Sequence, residues 1–237
     1  MRRAKQLDFD DARLNRGRGG PRSGAGRPRI YRRPPVHHVR RPPVAGRFPC
    51  HVRLRVVDGV PSLRQKRFIR EFRRTLAQAS ERGDFRVVHY SVQRSHVHLL
   101  VEAAGKAALG RGMKAVGARM GRAVNRVFGR SGPALFGRYW LRVLRTPREV
   151  RNALAYVLLN ARKHFFEARR RKPPALLDAC SSGAWFDGWR SEPARRDPGL
   201  RARAPDVAPP HTWLLASGWR RHGLVDPAEV PGTGRRK

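Results

Sequence analysis

The sequence predicts an α+β fold of the ferredoxin-like, split βαβ type, in which an antiparallel four-stranded sheet carries helices on one face and a further helix is added at the C-terminal end. Two observations lead to this fold. Four short segments alternate apolar and polar residues as strands do, and three longer segments repeat apolar residues at helical spacing. Their order is β-α-β-β-α-β-α. Residues 49–166 form the predicted domain, between an arm at 1–48 and a tail at 167–237.

The first half of the domain reads as a strand, a helix and a hairpin. From Cys50, apolar Val52 and Leu54 alternate with arginines, which is the strand period. Ser62 and Gln65 have the spacing of a capping box and predict the start of a helix. Segments 85–93 and 96–102 then alternate again and are separated only by residues 94 and 95, so they are predicted to pair as an antiparallel hairpin.

The second half reads as helix, strand and helix. Residues 106–127 have helical spacing, although four glycines lower their helix propensity. Residues 136–144 alternate as a strand. Thr146-Pro147-Arg148-Glu149 is a capping box with proline at the first helical position, which predicts a helix from there to about residue 166.

The charge of the chain points to a polyanionic partner. It has 53 Lys and Arg against 17 Asp and Glu, a formal net charge of +36. Neutralising phosphates releases counterions and drives binding of such a protein to nucleic acid. The Arg-, Gly- and Pro-rich composition predicts that residues 1–48 are a disordered basic arm. Residues 167–237 read as a basic linker and a Trp-containing tail that packs on the domain.

Several protein classes fit the composition poorly. Two cysteines, Cys50 and Cys180, are too few for a disulfide framework or a cysteine metal site. No apolar run reaches the roughly 20 residues of a membrane span, and the basic N-terminus lacks the apolar stretch of a signal peptide. We therefore expect a cytoplasmic protein without membrane or organic cofactor.

His96-Val97-His98 is the first candidate for chemistry. Alternate residues of a strand share a face, so both imidazoles project together while Val97 points into the core. Two such imidazoles can share one metal ion. A polar strand face without any metal is the competing interpretation.

The last predicted helix carries the second candidate. Tyr156 and Asn160 are one turn apart on its polar side, away from the apolar stripe that includes Val157. If this helix packs beside the sheet, Tyr156 would supply a nucleophile and Asn160 an oxygen ligand. Two nitrogens and an amide oxygen, with open positions for phosphate oxygens and water, suit Mg²⁺ or Mn²⁺. A surface tyrosine with a solvated asparagine is the alternative.

These segments resemble a known family. The order of elements, the strand 95–102 (SHVHLLVE) and the segment 156–160 (YVLLN) are similar to the single-tyrosine HUH transposases, including the REP-associated tyrosine transposases. The resemblance covers about residues 50–166. It implies that His96, His98 and Asn160 hold a divalent metal and that Tyr156 cleaves and rejoins single-stranded or hairpin DNA through a 5′-phosphotyrosine intermediate. It also implies either a homodimer or a monomer. Relatives commonly have Asn-Pro where this chain has Asn160-Ala161.

Further residues are candidates for holding DNA or supporting the metal. Arginines and a tryptophan on one face of a strand combine cations with a stacking surface. The predicted DNA-binding residues are Arg138, Trp140 and Arg142 on the strand and Lys114 and Arg122 on the preceding helix. His51 and His89 are candidates for orienting a ligand, and Glu102 for a further ligand or a partner of arginines.

Three rival functions remain open at this level. One is a non-catalytic, domesticated binder of single-stranded nucleic acid. The second is another HUH nuclease, a replication initiator or relaxase, although those are usually larger. The third is a basic structural protein, for which His96, His98 and Tyr156 would be dispensable.

Overall fold

The computed structural model describes residues 41–78, 81–194 and 204–232, with the backbone alone at 81 and 82. Most of the predicted basic arm and residues 195–203 and 233–237 of the tail lie outside these ranges. The strands form one antiparallel sheet in the order β2-β3-β4-β1-β5. Their bounds are β1 Cys50–Arg55, β2 Glu81–Arg82, β3 Phe85–Val92, β4 His96–Ala103 and β5 Trp140–Val143. The predicted α+β fold is confirmed, with the two-residue strand β2 added at one edge.

Helices cover both faces of this sheet. Helices α1 and α2 bury the apolar stripe of β4 that includes Val97 and Leu99, whereas α3 packs on the opposite face with Val88 and Leu100. The hairpin turn between β3 and β4 is confirmed at residues 93–95, where the Gln93 amide donates to the His96 carbonyl. The helices are α1 Lys66–Ala77, α2 Lys106–Phe128, α3 Pro147–Leu158, α4 Asn160–Arg169 and α5 Trp213–Ala216. No helix in the described ranges is long and apolar enough to cross a membrane.

The predicted start of α1 is wrong. The helix begins at Lys66, after Gln65, and neither Ser62 nor Gln65 caps it with its side chain. Leu63 is fully buried, and its amide donates to the Arg94 carbonyl instead of entering a helix. A core contact thus overrides the local capping signal.

Strand β5 is shorter than predicted. Its paired residues begin at Trp140, although the alternating pattern starts at residue 136. Gly137 has φ +59°, a left-handed conformation that interrupts an extended chain. The segment before it still contacts β1, because the Phe136 amide donates to the Arg55 carbonyl.

The last predicted helix is divided in two. Helix α3 ends at Leu158 and α4 starts at Asn160, with Leu159 at φ −107° and ψ 15° between them. The side chain of Arg162 in α4 is buried, and its guanidinium donates to the carbonyls of Pro173, Ala228 and Glu229. These distant partners, together with the weak helix propensity of asparagine, explain the break.

Helix α2 forms in spite of its glycines, and one of them is required. A Cβ at Gly112 would lie 2.2 Å from the ring of Phe85 on β3. Glycine at this position lets the helix approach the sheet closely, and any larger residue would force the two apart.

Residues 204–232, the C-terminal segment, complete the layer around α3. Trp219 is 1% exposed and packs with Leu154 and Val157 of the helix. The buried carboxylate of Glu102 at the end of β4 accepts hydrogen bonds from the His211 amide and from the amide and hydroxyl of Thr212. Glu102 therefore anchors this segment, which is a different role from the metal ligand considered above.

His89 on β3 makes the stability of the fold depend on pH. Its ring is buried between Ser182, whose Oγ lies 3.2 Å from Nδ1, and Phe186, and burial lowers its pKa from 6.5 to about 3. Below pH 6.5 His89 therefore binds a proton in the unfolded chain but not in the folded chain. The free energy of unfolding thus falls as the pH drops from 6.5 towards 3.

We expect protonation of His89 in the unfolded chain to lower the free energy of unfolding by about 2–3 kcal/mol at pH 4.5, and to have no effect above pH 7. The measurement is the free energy of unfolding of the wild type and of His89→Gln from pH 7.5 to 4.5. The difference between the two proteins should shift in favour of the variant as the pH falls. A difference that stays constant across this range would contradict the prediction.

Candidate active site

The two histidines of the His-x-His pair lie on the face of β4 that meets α3. Val97 between them is buried in the layer of α1 and α2. Strand pairing adds a row of side chains on the same face, because residues directly opposite in neighbouring strands share a face. His98 is opposite Arg53 of β1, and Arg53 is opposite Trp140 of β5.

The imidazoles of this face form a hydrogen-bonding chain. His96 Nε2 lies 3.1 Å from His98 Nε2, and His98 Nδ1 lies 3.0 Å from His51 Nε2. If the Nδ1–H of His98 donates to His51, the tautomer of His98 is fixed with the lone pair of Nε2 directed towards His96. In that arrangement His51 would hold His98 in the form that a metal ligand needs.

The local electrostatics keep these histidines neutral. The pKa of His98 falls to about 2, first because the ring is buried and then because of the nearby His51 and His96. Burial, followed by the charge of Arg53, lowers the pKa of His96 to about 4. Burial also lowers the pKa of His51 to about 4. At neutral pH all three rings are therefore uncharged, and each has one unprotonated nitrogen.

Helix α3 places Tyr156 over this chain of imidazoles. The predicted capping box is present: Thr146 Oγ1 accepts from the Glu149 amide and the Glu149 carboxylate accepts from the Thr146 amide. The phenol ring lies 5.3 Å from the ring of His98 and 5.8 Å from that of His51, centroid to centroid. Its hydroxyl has no hydrogen-bond partner within the described part of the chain, so the oxygen is available to a substrate.

Asn160 is the first residue of α4, directly after the break that ends α3. Tyr156, four residues earlier, contacts His98, and His164, four residues later, has its ring 6.4 Å from that of His96. Asn160 between them is completely buried, and within the described ranges neither Oδ1 nor Nδ2 has a hydrogen-bond partner. An unsatisfied buried amide costs about 1–3 kcal/mol, which a bound ligand would recover.

The donor set fits a divalent cation. No three His, Cys, Asp or Glu side chains of the described residues converge as a ligand group. The set here is instead two imidazoles and one amide. Two nitrogens about 2.0–2.1 Å from a common ion are separated by about 2.9–3.4 Å at ordinary ligand angles, and the observed separation of 3.1 Å lies within this range. His96 and His98 could therefore share a cation, and the buried amide of Asn160, which has no partner in the described ranges, is the candidate for an oxygen ligand.

A cavity of about 930 Å³ opens beside Tyr156. Strand β1 contributes His51 and Arg53, and strand β5 contributes Trp140 and Arg142. Asn152 of α3 and residues 229–232 of the C-terminal segment form the other walls. Ligand pockets commonly have volumes of about 300–1,000 Å³, so a small group can enter next to the phenol.

The predicted DNA-binding residues divide between two places. Trp140 and Arg142 line this cavity, and Arg138 comes just before β5. Lys114 and Arg122 are exposed on α2, on the opposite side of the sheet, so the structure does not bring them together with Tyr156.

Two residues that line the cavity, Arg53 and Asn152, were not predicted as site residues from the sequence. Arg53 belongs to the alternating pattern of β1, which indicated its face but not its neighbours. Asn152 lies one turn before Tyr156 on the same helix, and this i, i+4 spacing was the available signal. His89, considered as a ligand-orienting residue, contacts Ser182 and Phe186 instead.

Comparison with known proteins finds likeness in structure only. No protein-family model matches the sequence. No curated protein matches it either. A REP-associated tyrosine transposase bound to a REP hairpin is similar in structure, with a TM-score of 0.45 and 14% identity over 54% of this chain and 74% of that chain.

A bacterial tRNA(His) guanylyltransferase-like protein has a similar fold as well. Its complex with ATP gives a TM-score of 0.39 and 15% identity over 56% of this chain and 65% of that chain. Its complex with GTP gives 0.38 and 16% over 54% and 68%. Because these scores describe backbone arrangement alone, the functional interpretation depends on the side chains described above.

Proposed function

We propose that this protein is a metal-dependent DNA transposase-type enzyme that cleaves and rejoins single-stranded or hairpin DNA, with Tyr156 as its nucleophile. The observation that supports this function most directly is the meeting of three groups on one face of the sheet. A phenol without a hydrogen-bond partner in the described chain lies 5.3 Å from an imidazole, centroid to centroid, and that imidazole shares a 3.1 Å contact with a second one. A cavity opens beside them.

His96, His98 and Asn160 would hold Mg²⁺ or Mn²⁺. When bound, the ion would supply Lewis-acid polarisation of the scissile phosphate. The protein's own contribution is to keep the imidazoles neutral by burial, to fix the tautomer of His98 through His51, and to place the phenol over the same face. The orphaned amide of Asn160 supports this assignment.

The proposed reaction is a transesterification. The Tyr156 oxygen forms a bond to phosphorus, the bond between phosphorus and the 3′ oxygen breaks, and the proton lost from the phenol ends on the departing 3′-OH. The phosphate becomes a 5′-phosphotyrosine diester, so no oxidant or water is consumed. Attack by a 3′-OH on this diester reverses the step and rejoins a strand.

The residues of this mechanism all come from one chain. The ring of Tyr156 lies 5.3 Å from that of His98 of the same chain, centroid to centroid, and Asn160 follows Tyr156 by four residues. The proposal therefore requires no tyrosine from a partner subunit. The net charge of +36 supplies the general attraction for the DNA backbone.

The test is a denaturing gel of labelled hairpin DNA with single-stranded tails, incubated with protein and Mn²⁺, Mg²⁺ or EDTA. We expect a covalent protein–DNA band that requires the ion, that retains the label placed 3′ of the cleavage point, and whose modified peptide contains Tyr156. Tight binding of hairpins with no covalent product in either metal would overturn the enzyme and favour a non-catalytic single-strand binder.

A further inference from the structure

The cavity beside Tyr156 has walls of three different chemistries. Its floor is the sheet face with Arg53 and Trp140, one side is α3 with Asn152, and the outer wall is formed by residues 229–232. The same cavity is lined by Tyr156 and His98. Whatever occupies it therefore lies next to the group that attacks phosphorus.

The charges of the cavity leave one cation available. The Glu149 carboxylate lies 2.8 Å from the Arg142 guanidinium and also caps α3. Glu229 forms a bidentate pair with Arg151, at 2.6 and 2.7 Å. Arg53 is exposed and has no acidic partner among the residues that the structure describes. Both carboxylates are thus neutralised, and Arg53 remains to bind an anion.

The ring of Trp140 and the side-chain amide of Asn152 are suited to bind a nucleic-acid base. Trp140 is half-buried, with the ring of His51 against it at 5.3 Å in an edge arrangement, so its position is fixed from the side of β1. Bases stack on such aromatic rings in proteins that bind single strands. The exposed amide of Asn152 has no hydrogen-bond partner in the described ranges, and it can both donate to and accept from the edge of a base.

From these observations we propose that the cavity binds one unpaired nucleotide next to the scissile phosphate, with its base on Trp140, its base edge towards Asn152 and its phosphate on Arg53. This inference rests on the proposed function, because it takes Tyr156 as the group beside the scissile phosphate. A base inside a duplex would be excluded, since both of its faces are already stacked on neighbouring bases and cannot lie on Trp140. The substrate strand must therefore be single-stranded at that nucleotide.

The first experiment locates the base without requiring cleavage. A DNA hairpin with single-stranded tails carries 2-aminopurine at one tail position at a time, and its fluorescence is measured with full-length protein in EDTA. We expect strong quenching by stacking at one position, and loss of that quenching in Trp140→Leu. The matched control is Trp213→Leu, which removes an exposed tryptophan of α5 outside the cavity. No quenched position, or quenching that survives Trp140→Leu, would overturn the proposal.

The second experiment tests the two contacts energetically. An abasic site at the quenched position should weaken binding by about fivefold to a hundredfold for the wild type, and much less for Trp140→Leu. A neutral methylphosphonate in place of the adjoining phosphate should weaken the wild type but not Arg53→Gln. Arg70→Gln, an exposed arginine of α1 on the other side of the sheet, should remain as sensitive as the wild type.

The third contact is tested by exchanging the base. At the quenched position the wild type should distinguish the four bases, and Asn152→Ala should bind them about equally. In the abasic-site experiment, an equal loss of affinity in the wild type and in Trp140→Leu would contradict the proposed pocket. All these measurements are made without metal. If they give the expected results but no covalent protein–DNA product forms, the proposed cleavage is refuted while the proposed nucleotide-binding site is supported.

Discussion

Tyr156→Phe should abolish the covalent protein–DNA product, lowering its rate of formation by at least about 10⁴-fold, while hairpin binding and Mn²⁺ binding stay as in the wild type. Removing a nucleophile eliminates the bond-forming atom, and losses of this order or larger follow when no other group replaces it. Phenylalanine keeps the ring contacts with His98 and His51, so the fold around the site should not change.

The measurement for Tyr156→Phe is the denaturing gel described above, with circular dichroism and hairpin affinity recorded on the same samples. Tyr139→Phe is the matched control, because that tyrosine lies outside the cavity with the Arg41 guanidinium 3.6 Å from its ring centre. An adduct that persists in Tyr156→Phe, or one that disappears equally in Tyr139→Phe, would show that the nucleophile lies elsewhere.

His98→Ala should weaken Mn²⁺ binding by at least about a hundredfold and eliminate cleavage. His98 is the central ring of the chain, in contact with both His96 and His51, so the substitution removes one ligand and leaves another without its neighbour. His51→Ala should have a smaller effect, about 10- to 100-fold on metal affinity, as expected for a residue that orients a ligand.

Metal affinity is measured directly from the paramagnetic resonance signal of free Mn²⁺, which requires no DNA. His89→Gln serves as the control, since it removes a buried histidine of the adjacent strand that contacts Ser182 and Phe186. A His98→Ala protein that binds Mn²⁺ as tightly as the wild type would refute the assigned ligand set even if cleavage were lost.

Local periodicity was enough to predict which way several site residues point. The alternation of apolar and polar residues around Val97 places His96 and His98 on one face of a strand regardless of the rest of the fold. The helical spacing around Val157 likewise separates Tyr156 from the buried stripe. These are properties of a single element, so they can be derived from the sequence. On the strand the structure has the expected faces, with Val97 in the core. On the helix the separation is incomplete, because Tyr156 is partly buried and packs against the cluster that contains Val157.

The neighbours of those residues depend on pairing between distant segments. Arg53 lies between His98 and Trp140 only because β1 inserts between β4 and β5, an order that no local pattern specifies. The contributions of residues 229–232 to the cavity depend on the packing of Trp219 under α3 in the same way. The early start assigned to α1 and the undivided final helix failed for a related reason, since long-range contacts of Leu63 and Arg162 decided both.

The anchoring of the C-terminal segment on α3 has a consequence for biosynthesis. Leu214, Trp219 and Val225 cover the apolar side of the helix that carries Tyr156, and they leave the ribosome after it. Since domains fold as their segments emerge, a nascent chain that has reached only α4 still exposes that apolar side and lacks the outer wall of the cavity. The order of translation thus delays assembly of the cavity beside Tyr156 until nearly all of the described chain has been made.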